Sequence, residues 1–354
     1  MRLHILFEHD DGGRPHGASH IRLLRPFSHP SIDNVFQISS GLDLPQDEHV
    51  DVAVLERTWR PNIDVAQAQT LVQRLCDDNT CLLYMLDDNL LDLHRLEPWR
   101  PWPTEQHRLA IRYFIRQADG VIVSTENLRQ RLLPLNPNIV VVPNSIDERL
   151  LSPRPKPPRR GTLRIGYMGT LSHTADLMMV LEPLRAFLRK HQDQVEMQLV
   201  GITSDGRIHE CFSGLPLTVL DPGEDVNYPR FMAWMGKHLN WDFAIAPLCD
   251  SEFNYYKSDI KFLDYSVFGI PGIYSNVVPY TNTIRHRELG LLVDNTPEDW
   301  REAMELLYDE PELRDHVAAQ AHDYVRTNRM LEQNAKCWAE AVSKLLSAAG
   351  KNVG

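Results

Sequence analysis

The sequence predicts an α/β protein made of two doubly wound parallel-sheet domains in series, closed by helices at the C-terminal end. Short apolar, β-branched runs alternate with stretches of helical spacing, the pattern of a parallel sheet with covering helices. That pattern runs twice, on either side of a proline-rich basic segment. The length of 354 residues also exceeds what a single core usually serves.

In the first half the strand-like runs are LHILF at Leu3, VDVAVL at Val50, CLLYML at Cys81, GVIVS near Val121 and IVVVP at Ile139. Between them, 66–75, 108–118 and 125–133 carry apolar residues at helical intervals. SPRPKPPRRG, residues 152–161, interrupts the alternation. Its prolines fix φ and remove backbone donors, so it reads as a linker between a domain of residues 1–151 and one of residues 162–330. The second half restarts with LRIGYMG, VEMQLVG, LTVL, FAIAPL, PGIYS and GLLVD, with helices predicted over 176–191, 258–268 and 297–307. From Pro311 to about Ala348 the chain reads as helix throughout, and residues 331–354 are assigned to a terminal helix.

Composition narrows the function classes. A formal net charge of -11 argues against a nucleic-acid partner, which needs a concentrated basic surface. No apolar run approaches the length of a membrane span, and the N-terminal apolar run is too short for a signal-peptide core, so the expected location is the cytoplasm. Five scattered cysteines, with no CxxC pair, suggest neither a disulfide framework nor a zinc site. There is no GxGxxG, so a dinucleotide fingerprint is absent.

The most informative stretch is FNYYKSDIKFLDYSVFGIPG, residues 253–272. Ser258 or Asp259 can cap a helix that Gly269 and Pro271 stop, and helical spacing then puts Lys257, Lys261 and Asp264 on one charged stripe beside an apolar one. Lysines at a helix N-terminus make a cradle for a diphosphate, and Asp264 one turn deeper suits ribose hydroxyls; a solvated charge cluster has the same spacing. The segment resembles the signature of retaining GT-B glycosyltransferases of glycosyltransferase family four, E-x7-E ending in EAxAxGxPV. Asp264 stands at the second glutamate, with Gly269 and Pro271 at the motif's glycine and proline, while Tyr256 occupies the place of the first glutamate. KSDIKFLDY looks like a branch of bacterial polysaccharide and O-antigen enzymes.

Other landmarks extend the resemblance over nearly the whole chain. IGYMGTLSH, residues 165–173, is similar to the opening strand and loop of the family's donor domain, which places Gly169, Thr170 and His173 near the diphosphate. VVPNSID and GLLVDNTPEDW resemble further family segments. The resemblance implies two Rossmann-like domains facing across a cleft, with the terminal helix crossing back to the first. It implies a nucleotide diphosphate-sugar donor held by Tyr256, Lys257, Ser258, Asp259, Lys261 and Asp264, a glycan, lipid-linked or small-molecule acceptor, no required cofactor and no metal. Retention of configuration would need no protein base; an inverting reaction would need one, for which Asp87, Asp88, His16 and Glu126 are the candidates. The opening loop adds Gly12, Gly13 and Arg22 as cleft residues. An epimerase, a hydrolase or a non-catalytic module on this fold stays open, as does peripheral membrane contact through Arg154, Lys156, Arg159 and Arg160.

Overall fold

The computed structural model describes residues 1–32, 35–46, 48–96, 101–152, 161–201, 210–223 and 227–351. The linker basic residues Arg154, Lys156, Arg159 and Arg160 lie outside them. Two compact units result. The first comprises Met1–Glu148, Tyr256–Ser258 and Met330–Gly354, and the second Arg149–Tyr255 and Asp259–Arg329.

The first unit is a six-stranded parallel sheet in the order β2-β1-β3-β4-β5-β6. Its strands are β1 (Arg2–Leu6), β2 (Gln37–Gly41), β3 (Val52–Glu56), β4 (Cys81–Leu86), β5 (Gly120–Val123) and β6 (Ile139–Val141). Burial on both faces explains why β3, β4 and β5 read as unbroken apolar runs. β2 escapes a reading by hydrophobicity because QISSG is an edge strand with no fully buried residue. Helices Val65–Asp77 and Glu105–Gln117 start at capping boxes formed by Asp64 with Gln67 and by Thr104 with His107.

The glycine-containing opening segment is not simply a loop. After a tight turn closed by Asp10, whose Oδ1 accepts from the Gly12 and Arg14 amides, residues Gly17–Phe27 run as three consecutive helical turns. Phe27 and Leu23 from this stretch join the core with Leu3, Ile5 and Val54. Trp338, Val342 and Leu345 of the last helix, Leu331–Ala348, belong to the same core. That helix lies so close to β5 that a Cβ on Gly120 would sit 2.7 Å from the Leu345 side chain.

The second unit repeats the architecture in the order β12-β11-β10-β7-β8-β9. Its strands are β7 (Leu163–Met168), β8 (Val195–Val200), β9 (Leu217–Leu220), β10 (Phe243–Ala246), β11 (Gly272–Ser275) and β12 (Leu291–Val293). The single helix expected over 176–191 is two, Thr174–Met179 and Leu181–Lys190, because the chain leaves helical geometry at Val180. The last stretch is likewise two helices, Pro311–Asn328 and Leu331–Ala348, separated where Met330 takes extended backbone and bridges to Ile146. No helix among the described residues is long and apolar enough to cross a membrane.

Candidate functional site

Both sheets are doubly wound, and each reverses its winding at one place, between β1 and β3 in the first and between β7 and β10 in the second. Outside the carboxyl ends of the strands at such a point, backbone groups are not covered by crossing connections, which is where open α/β sheets take ligands. Polar side chains collect at both.

In the second unit, the helix that carries the signature spans Ile260–Val267. Tyr265 anchors it to the switch point, its hydroxyl donating to the Ile245 carbonyl at 3.2 Å and accepting the Met168 amide at 3.3 Å. Lys261 and Asp264 lie on the same helix, and both are buried, at 9% and 8% exposure. The expected charged rail is thus not a solvent-facing stripe. The Lys261 ammonium lies 5.0 Å from the Tyr167 ring centroid. Burial pushes the Asp264 carboxyl up to about 7, opposed by the charge of Lys261, and its Oδ1 makes no hydrogen bond among the described residues.

Around them, the Gly169 amide is already bonded to the Val200 carbonyl at 3.1 Å, so it is not open to a phosphate as the sequence suggested. Gly169 is nevertheless required: a Cβ there would lie 2.9 Å from the Tyr167 hydroxyl. Thr170 is exposed, its hydroxyl 2.7 Å from that of Ser172. His173 contacts Asp176 at 2.7 Å, and Asp176 also accepts the Cys249 amide at 2.8 Å, tying the loop after β7 to the loop after β10. Burial raises the Asp176 pKa, yet the His173 and Cys249 bonds outweigh it and hold the carboxylate below its usual range.

Lys257 does not share the stripe. The helix begins only at Ile260, and Tyr256–Ser258 belongs to the first unit although its chain neighbours on both sides belong to the second. The Tyr256 carbonyl accepts from Thr125 at 2.9 Å, Lys257 approaches Asp88 at 3.5 Å, and the Ser258 hydroxyl accepts from Asn144 at 2.8 Å. Asp259 occupies the N-cap position without capping. Its carboxylate instead takes a bidentate pair with Arg329, at 2.8 and 2.9 Å, and the Thr283 hydroxyl, because a buried carboxylate gains more from a guanidinium than from one amide.

The first unit holds a denser polar cluster at its switch point. Glu8 follows β1, Glu56 ends β3, Arg57 follows it, and Asp87 and Asp88 follow β4. Arg57 bridges Glu8 at 3.0 Å and Asp87 at 3.4 Å. It holds a left-handed backbone, φ 44°, with its carbonyl accepting from Tyr84 at 2.7 Å and its amide donating to Met85. Although burial works against its charge, Glu8 and Asp87 hold the Arg57 guanidinium more firmly protonated than usual. Glu56 is fully buried, and that burial, reinforced by the charge of Glu8, pushes its carboxyl up to about 8. Burial likewise raises Asp87, opposed by Arg57.

Arg22, expected on an open loop, is 1% exposed on a helical turn, where it stacks 4.5 Å over Trp338 and donates to the Val142 carbonyl and to Asn144. Burial pulls its pKa down to about 10 against the pull of Asp87 and Glu56. Gly12 and Gly13 serve the Asp10 turn, the latter at φ 75°. His16 is exposed, and Glu126 is spent on Arg129 and Gln130 one turn along its own helix, so neither joins the cluster. Glu8, Glu56 and Arg57 went unnoticed in the sequence. The only signal was a charged residue at the end of an apolar strand, a common arrangement.

Among the described residues, no group of three or more His, Cys, Asp or Glu is placed to hold a metal ion. No protein-family model matches the chain, and no curated protein matches it by sequence. Solved structures do. HepE of Anabaena, solved with UDP-glucose, aligns over 97% of this chain and 99% of its own at a TM-score of 0.67 and 13% identity. A glycosyltransferase from Rickettsia africae aligns over 97% and 98% at 0.62 and 13%. TarM of S. aureus, solved with UDP and α-GlcNAc-glycerol, aligns over 84% of this chain at 0.57 and 13%, and the chain spans only 55% of TarM's length. At such identities the likeness speaks for architecture, and the architecture is that of the GT-B glycosyltransferases: two six-stranded parallel sheets, each flanked by helices.

Proposed function

We propose that this chain is a glycosyltransferase that holds a nucleotide diphosphate-sugar on the second unit and its acceptor on the first. One observation carries the reading: Asp264 is a buried carboxyl beside Lys261, one oxygen of which makes no hydrogen bond among the described residues, on the helix whose Tyr265 reaches the carboxyl ends of β7 and β10. A buried polar atom without a partner costs on the order of 1–3 kcal/mol, a cost that a ligand hydroxyl would remove. HepE and TarM, solved with UDP-glucose and with UDP, support a uridine nucleotide as the first donor to test.

In this reading Asp264 accepts from ribose hydroxyls and Lys261 neutralises the departing diphosphate, without any step that needs a divalent ion. Tyr256 in place of the motif's first acid leaves no carboxylate at that position beside the donor sugar. With the family's usual outcome, retention of configuration, the leaving phosphate assists the acceptor hydroxyl and no protein base is needed; inversion would need Asp87 or Asp88 as base. Polysaccharide synthesis at the cytoplasmic face of a membrane is the setting that the KSDIKFLDY resemblance favours.

Calorimetry with UDP tests the donor half. Wild type should bind, and Lys261→Ala should weaken binding by about tenfold or more while the fold holds, the loss of one charge-assisted contact. Unchanged affinity in Lys261→Ala would remove this lysine from the site. Turnover should survive EDTA, and loss that magnesium or manganese restores would require a metal role for Asp87 and Asp88.

A further inference from the structure

A strand at the rim of a sheet turns every second residue's N–H and C=O outward, and proteins usually cover, charge or interrupt such a rim. Two rims of this chain are closed by side chains. At β6 the Arg129 Nε donates to the Ile139 carbonyl at 3.3 Å, and at β12 the His286 ring accepts the Leu292 amide at 3.1 Å. β2 differs: it pairs with β1 alone, and none of its residues is fully buried.

Its register identifies the outward groups. The Gln37 amide donates to the Met1 carbonyl, so in a parallel ladder Gln37, Ser39 and Gly41 turn their backbone groups to β1, while Ile38 and Ser40 turn theirs away from the sheet. The usual protections are missing. From Asn34 to Leu42 the chain carries no charge and no proline, and the ladder with β1 runs without a bulge. The next charge, Asp43, is engaged by Arg60. Val35 and Leu42, at the two ends of this run, are 46% and 36% exposed, and a cavity of about 500 Å³ lies beside the strand, lined by Phe36, Ile38, Ser40, Leu24 and Phe27 among others. A chain of net charge -11 repels its own copies over most of its surface, and an uncharged run is where two of them can approach.

We propose that β2 is the interface of a two-fold dimer, in which it pairs antiparallel with β2 of a second copy and joins two six-stranded sheets into one. The register follows from the strand itself. Opposite residues of an antiparallel pair lie on one face, and the residues with outward groups must meet, so Ile38 of one copy faces Ser40 of the other and Ser39 lies on the axis. Each Ile38–Ser40 pair then exchanges both of its backbone bonds. The same register sets Leu42 of one copy against Phe36 of the other, and Ile38 of one beside the cavity that Ser40 of the other lines. A second copy repeats every such contact by symmetry, so each favourable one counts twice.

The test is sedimentation equilibrium of the full chain from about 1 to about 100 µM, the range suited to a small interface. Wild type should rise toward twice the mass of one 40.8 kDa chain. Ser40→Pro removes an outward N–H and leaves the bonds to β1, so it should weaken the dimer about tenfold or more with the circular dichroism spectrum unchanged. The register is read by cross-linking in a chain that carries Cys76→Ser and Cys337→Ser, which removes the exposed thiols. There Ser39→Cys should form a disulfide between copies on mild oxidation, because the Cα atoms of a non-hydrogen-bonded pair lie about 4.5 Å apart, and Gln37→Cys, opposite Gly41, should not. Should Ser40→Pro fail to fold, the cross-link decides by itself. The proposal is overturned if wild type stays monomeric throughout, which would leave the rim to a strand of another protein. It is equally overturned if a folded Ser40→Pro dimerises as tightly as wild type, or if Gln37→Cys cross-links as readily as Ser39→Cys.

Discussion

A carboxylic acid at the end of a central strand usually shows itself by being exposed, and Glu56 is not. It is 0% exposed and keeps its proton to about pH 8, whereas an unfolded chain would release it near the usual glutamate value. Between those two pH values the native state binds a proton that the unfolded state does not, so stability must fall as pH rises from about 5 to about 8. Asp264 adds a second contribution of the same sign, lost as pH rises through about 7. Thermal melts of wild type and Glu56→Gln across this window should show the slope reduced in the variant, by an amount on the order of a few kcal/mol over the whole range. A second residue-scale prediction concerns Arg57. Arg57→Ala leaves Glu8 and Asp87 without their shared cation in a buried setting, which should cost about 3–5 kcal/mol in denaturant unfolding, far more than an exposed pair such as Arg285 with Glu288. None of this is written in local sequence, since the partners of Arg57 follow two other strands.

At the scale of elements, pattern shows a strand where its own residues are apolar, and misses it where they are polar. Eleven strand-like runs stand out, and in β3, β4, β5 and β10 the reason is that parallel strands covered on both faces need apolar residues at every position. QISSG does not stand out, because an edge strand is held by backbone bonds to β1 and by His4, whose ring contacts Ser39 at 2.8 Å, rather than by burial. The helix Ile260–Val267 starts two residues after the expected Ser258, with Asp259 at its N-cap position and that residue's carboxylate bonded to Arg329. Lys257, three residues before that start, is not on the helix face. Strand β7 offers a test of close packing. A Cβ on Gly166 would fall 1.7 Å from the buried indole of Trp241, itself bonded to Gln198, so Gly166→Ala should displace the ring and destabilise the second unit by several kcal/mol in thermal unfolding, about the cost of a severe overpacking. Gly161→Ala, where nothing among the described residues lies within 4 Å of the new carbon, should leave the melting temperature unchanged.

At the scale of the whole molecule, the chain is not divided into consecutive domains. The first unit is completed by Tyr256–Ser258 and by the segment from Met330 onward, which supplies Leu331, Ala335, Trp338, Val342 and Leu345 to its core. A chain ended at Arg329 should therefore lose the first unit's cooperative transition, because burying a side chain such as Trp or Leu contributes about 1.5–3 kcal/mol and several are removed together. Two-transition calorimetry that keeps both peaks would refute this. Periodicity and composition, taken alone, determined the α/β class, the doubling of the sheet pattern and the helix bearing Lys261 and Asp264, because these follow from the local requirement to bury one face or both. Tertiary structure decided which charges meet: Lys257 with Asp88, Arg57 with Glu8 and Asp87, Asp259 with Arg329. Such pairs form between residues tens to hundreds of positions apart, and their worth depends on how far folding removes them from water, a quantity that no local pattern of residues carries.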